Sequence, residues 1–253
     1  MKANKKLLVV LGSIVAVMAI VAGSVLGTVA YMTSASKVSN VFTVGNVKIT
    51  LDEGKVNADG QLVDGGVTRT DNNSYKLIPG KSYDKDPRIT VQADTEYCYL
   101  FLVTRNQITS IEASAEEAIA GKPTMAQQMV ANGWGIYKDT TAGTRVWIYC
   151  GQTAGAIDAD KNAVSPKAIC GTGVNATDGV TTIPVFSNFY ITSEATDTLE
   201  MYRGAEVTIN AVGIQADSFG TFGSSAAVDA AWAAVVNQFP YIQDNVGNNN
   251  GQS

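Results

Sequence analysis

AEVTINAVGIQ, residues 205–215, decides the fold class. Ala205, Val207, Ile209 and Ala211 alternate with Glu206, Thr208 and Asn210, and the run continues through Ile214. Successive side chains of a strand point to opposite faces, so a period of two predicts a strand. The same period recurs upstream. Val47, Ile49 and Leu51 alternate with Lys48 and Thr50, and Ile89, Val91 and Ala93 alternate with Thr90 and Gln92. Phe42 and Val44 lie in the opposite phase to Val47 and Ile49, so Gly45-Asn46 between them predicts a bulge or tight turn.

Tyr97–Val103 is apolar on both faces, as a central strand should be. RVWIYC (145–150) and TTIPVF (181–186) predict further strands, with Pro184 placing the latter at an edge or bulge. Residues 52–80 are rich in Gly, Asp and Asn and read as one long connection. Two possible capping boxes, Ser114 to Glu117 and Thr124 to Gln127, predict an insertion of two short helices over about 110–133. Val228, Ala231, Trp232, Val235, Val236 and Phe239 form one helical face, opened by Ser225 and closed before Pro240. Strands thus outnumber helices. The expected fold is mainly β, a two-sheet β-sandwich with a short helical insertion and a C-terminal docked helix.

The ends of the chain read differently. Lys2, Lys5 and Lys6 precede an uncharged run from Leu7 to Leu26, and Gly27, Thr28, Val29 and Ala30 follow. This is the pattern of an export signal over residues 1–30, with cleavage between Ala30 and Tyr31. The apolar run also reaches transmembrane length, so retention as an anchor is the alternative. In both cases the basic flank stays inside and the rest faces outward. A single domain is expected over 31–244, and residues 245–253 (NVGNNNGQS) read as a disordered tail.

Loss of residues 1–30 removes three lysines and no acids, leaving 15 basic and 23 acidic residues and a net charge of −8. That charge disfavours nucleic acid and anionic lipid as partners, and leaves the signal segment as the expected membrane contact.

The chain contains no histidine, which rules out H-E-x-x-H metallopeptidase helices and histidine-dependent triads. P-loop, G-x-G-x-x-G and G-x-S-x-G patterns are missing as well, so neither a cofactor nor an enzymatic role is expected. The 23 acids leave a carboxylate-pair hydrolase as a third-ranked possibility. Asp158, Asp160 and Asn162 have the opening spacing of a calcium loop, but Ala163 and Ile169 stand where its glycine and glutamate belong. A polar turn is the alternative. Tyr97, Tyr99 and Phe101 form either a ligand-stacking stripe or sheet core. Cys98 reads as a buried small hydrophobe, while Cys150 and Cys170 either pair or stay free.

Several stretches carry a family resemblance. VSNVFTVGNVKITLDE (38–53) resembles the start of mature proteins exported through the SipW-type signal peptidase, the TasA and camelysin group of Gram-positive bacteria. LIPGKSYDKDPRITV (77–91), EYCYL (96–100) and VTINAVGIQADSF (207–219) fit the same group, whereas residues from about 105 to 180 carry little of it.

The resemblance implies a jelly-roll-like sandwich and a role in extracellular biofilm fibres, where the N-terminal strand of one subunit completes the sheet of the next. Its implied partners are copies of itself or related matrix subunits, with the signal peptidase during export. The strand concerned would be Tyr31 to about Val44, including Val41, Phe42 and Val44. The metallopeptidase label of some camelysin relatives does not carry over, because histidine is missing. A monomeric extracellular binding module for carbohydrate or a host ligand is the competing expectation.

Overall fold

The computed structural model describes residues 33–139, 144–170 and 180–242, with side chains from Val41 onward except at Asp197 and Tyr241. Twelve strands are assigned there: β1 (Thr33–Val44), β2 (Ile49–Gly54), β3 (Arg69–Thr70), β4 (Asn72–Lys76), β5 (Ser82–Asp84), β6 (Arg88–Val91), β7 (Cys98–Asn106), β8 (Trp134–Asp139), β9 (Thr144–Tyr149), β10 (Thr181–Pro184), β11 (Asn188–Tyr190) and β12 (Glu206–Gln215). The helices are α1 (Ala115–Ile119), α2 (Met125–Ala131) and α3 (Ser225–Gln238). A six-stranded sheet has the order β4-β1-β12-β7-β9-β8. A four-stranded sheet, β10-β6-β2-β3, and a two-stranded pair, β11-β5, complete the set. The protein is mainly β, a sandwich with short helices, as the alternation predicts.

The six-stranded sheet is buried on both faces. Leu100, Leu102, Trp147 and Ile209 join Ile49, Ile89 and Ile183 in the core between the sheets. Tyr99, Phe101, Ile148 and Val212 join Val228, Trp232 and Val235 of α3 in a second core. Two cores explain why Cys98 to Val103 are 0 % exposed along an unbroken apolar run. They also explain the phase switch. Phe42 and Val44 serve the helix-side core, whereas Val47 and Ile49 serve the inter-sheet core. The chain changes sheets at Gly45, whose φ of +81° and crowding against Gln215 (2.6 Å from an added Cβ) both require glycine.

Both capping boxes form. Ser114 and Thr124 accept from the Glu117 and Gln127 backbone N–H groups, and those side chains accept in return. The insertion docks through Met125 and Met129 and is tied to β11 by Gln128, which donates to the Asn188 carbonyl at 2.8 Å. Helix α3 is capped by Ser224, one residue before the expected Ser225.

Other expectations need correction. Residues 52–80 are not a bare connection, since β3 and β4 lie within them. In β4 (NNSYK) the buried positions are Asn73 and Tyr75, so the alternation is hidden behind polar residues. β5, β8 and β11 are further strands that the period-two pattern does not mark. β1 pairs with β12 in parallel, a departure from the antiparallel ladders elsewhere in these sheets. Cys150 and Cys170, which could pair or stay apart, are not joined by a disulfide; Cys98 and Cys150 are buried and Cys170 is half-buried.

Candidate functional site

Two features stand out: an inserted strand and a cavity. β1 runs parallel to β12 from Ala35↔Glu206 to Val44↔Ile214, with an irregularity between Val38 and Asn40. Its first half also pairs antiparallel with β4, from Thr33↔Lys76 to Lys37↔Asn72. The N-terminal strand is therefore neither a free tail nor a simple edge strand, because β12 and β4 flank it. Beyond Lys37 it pairs with β12 alone among the described residues. The Phe42 ring lies 5.0 Å from that of Phe239, and Val44 joins the same core. Val41 points the other way and is 39 % exposed. Ala30 and Tyr31, the expected cleavage pair, lie outside the described residues, as do residues 1–32 generally and the expected tail at 245–253. Among the described residues no helix is long and apolar enough to cross a membrane.

The cavity, about 400 Å³, opens between the inter-sheet face of β7, β9 and β12 and the helical insertion. Met129, Trp147 and Ile209 supply apolar lining, and Thr104, Asn106, Glu112 and Arg145 supply polar lining. Glu112 is 6 % exposed and accepts from Asn106 Nδ2 at 2.6 Å and the Met125 N–H at 2.9 Å. Burial pushes its carboxyl up, against the pull of those two donors. Arg145 pairs with Asp139 at 2.5 Å and sits 5.6 Å over the Trp147 ring, while Trp147 Nε1 donates to Thr104 Oγ1 at 3.0 Å. The volume and the mix of apolar floor with a few fixed polar groups suit a small ligand. These residues come from segments up to about a hundred residues apart, and no local pattern in the sequence brings them together.

The remaining candidates resolve individually. Asp158 accepts from the Asn162 N–H at 2.7 Å and from Asn162 Nδ2 at 3.1 Å, so D-x-D-x-N here builds a turn closed on itself. Those bonds hold the Asp158 carboxylate below its usual range. Among the described residues there is no group of three or more His, Cys, Asp or Glu able to hold a metal ion. Tyr99 and Phe101 are core against α3, with Phe101 5.0 Å from Trp232, and Tyr99 OH accepts from the Gly223 N–H. Tyr97, at the rim, is 40 % exposed and lies 5.5 Å from Phe222. No family model, no curated protein and no solved structure matches the chain.

Proposed function

We propose that this chain is an exported structural protein, a subunit of biofilm-matrix or cell-surface fibres that assembles by exchange of β1 between copies. The observation that supports this reading is the place of β1 between β12 and β4. Taking it away leaves two facing rows of unpaired N–H and C=O groups, a slot that a second copy's strand fills equally well. Head-to-tail filling of such slots does not close and yields filaments. Because β1 fills its own slot in the isolated subunit, assembly requires that strand to leave first. The test is electron microscopy of residues 31–253, with and without an excess of a peptide spanning 33–44. Filaments that shorten as the peptide caps open slots support the proposal. A monodisperse protein, or filaments indifferent to the peptide, would sink it.

The cavity favours a second reading, an extracellular binding module. It is tested by thermal-shift screening against small carbohydrates, with Trp147→Phe as the control. A ligand-dependent shift that this variant abolishes would move the assignment there.

A further inference from the structure

Lys85 and Glu53 form an ion pair in which both side chains are 0 % exposed, with Nζ 2.5 Å from Oε2. Glu53 lies on β2, and Lys85 lies between β5 and β6, so the contact joins segments 32 residues apart in sequence. Neighbouring charges pair with one another. Arg69 binds Asp52 and Asp86, and Arg88 binds Asp86. Among the described residues Glu53 Oε1 has no hydrogen-bond partner. A fully buried ion pair with an unsatisfied oxygen is an expensive arrangement to keep.

Both backbones are pinned. The Lys85 N–H donates to the Ser187 carbonyl at 3.0 Å, and the preceding Asp84 accepts from Tyr75 OH and the Leu62 N–H. The Gly54 N–H, next to Glu53, donates to Asp86 beside Lys85. One carbon–oxygen bond of about 1.2 Å separates Oε2 from Cδ, which brings the amine within about 3.7 Å of that carbon. This is close to the reach of a near-attack arrangement.

We propose that Lys85 and Glu53 condense spontaneously to an internal side-chain amide, a covalent cross-link between β2 and the β5–β6 segment. Once Nζ passes one proton to Oε2, the uncharged Nζ attacks Cδ and a carbon–nitrogen bond forms. The Cδ–Oε2 bond then breaks, and Oε2 departs as water carrying that proton and one from the amine. Oε1 becomes the amide carbonyl oxygen. Nothing is oxidised or reduced, and no co-reactant is needed. In bulk water the separate ions are favoured by their hydration; inside the sandwich that advantage is removed, and the neutral amide replaces two buried charges. The cross-link does not depend on assembly through β1.

Intact-mass spectrometry of the purified protein decides the matter. The expected mass is lower than the sequence by one water, about 18 Da, with a branched proteolytic peptide joining Lys85 to Glu53. The paired variant Lys85→Met with Glu53→Leu, which leaves no orphan charge, should return the full sequence mass. A wild-type mass equal to the sequence overturns the proposal. A missing water mapped to any other residues overturns it as well.

Discussion

Tying β1 to β4 should stop assembly in a way that reduction reverses. Ala35 and Ser74 are directly paired in the antiparallel ladder, and Ser74 is exposed. Paired Cα atoms in such a ladder lie about 4.5–5.5 Å apart, inside the range a disulfide spans. The test protein carries Ala35→Cys and Ser74→Cys, with Cys170→Ser to remove the half-buried native thiol. The bond closes a loop of about 40 residues, and its effect on chain entropy is at most about 4 kcal/mol at 25 °C. Even when β4 leaves the sheet together with β1, that term lowers the open population about a thousandfold. The assay is filament mass by sedimentation and electron microscopy, oxidised against reduced, on one preparation. Oxidised protein should stay monomeric, and added reductant should restore filaments. Equal filament mass in both states refutes exchange of β1.

Three further outcomes test the structure. Asp86 is 5 % exposed and accepts from the Gly54 N–H, Arg69 Nη1 and Arg88 Nη2. Asp86→Ala should cost about 3–5 kcal/mol and lower Tm by about 6–20 °C in calorimetry, with Asp86→Asn losing about half as much because it keeps the Gly54 acceptor. Burial pushes the Cys98 thiol up to about 12 and the Cys150 thiol up to about 11, so at pH 8 both stay protonated and shielded. Iodoacetamide should then modify Cys170 alone until the protein is unfolded; faster labelling of either buried thiol contradicts the two-core packing.

Glu117 accepts from the Ser114 N–H and from Ser193 N–H and Oγ, and against the opposing effect of burial these bonds hold its carboxylate down to about 2. A depressed value means that the tie between α1 and Ser193 is at full strength above about 4.3 and is lost as the pH falls through about 2. Glu117→Gln should remove that acid-dependent step from an NMR pH titration of the Ser193 amide, and a step that persists assigns it to another group.

What could be read from the sequence was local. The alternation in residues 205–214 and the two-faced run from Tyr97 point to β12 and β7, since each pattern is complete within its own strand, although Thr208 and Asn210 of β12 are buried as well. Both capping boxes were legible because each closes within four residues. β4 was not, because its buried positions are Asn73 and Tyr75 in a polar stretch on the sheet's edge. The parallel pairing of β1 was also hidden, since residues 33–44 carry no mark of which way β12 runs beside them. The cavity and the Lys85–Glu53 pair depend on residues that only the fold brings together, and a lysine or glutamate in sequence looks the same whether buried or solvated.

The direction of β1 has a mechanical consequence. In a filament made by strand exchange, tension passes from one subunit to the next along the exchanged strand. The hydrogen bonds linking β1 to β12 run across that axis, so a pull loads them together in shear and does not peel them apart one at a time. The irregularity between Val38 and Asn40 interrupts this ladder near its middle. Under increasing force the joint should therefore give way in two steps, with the ladder from Asn40 to Val44 sharing its load with the Phe42–Phe239 contact.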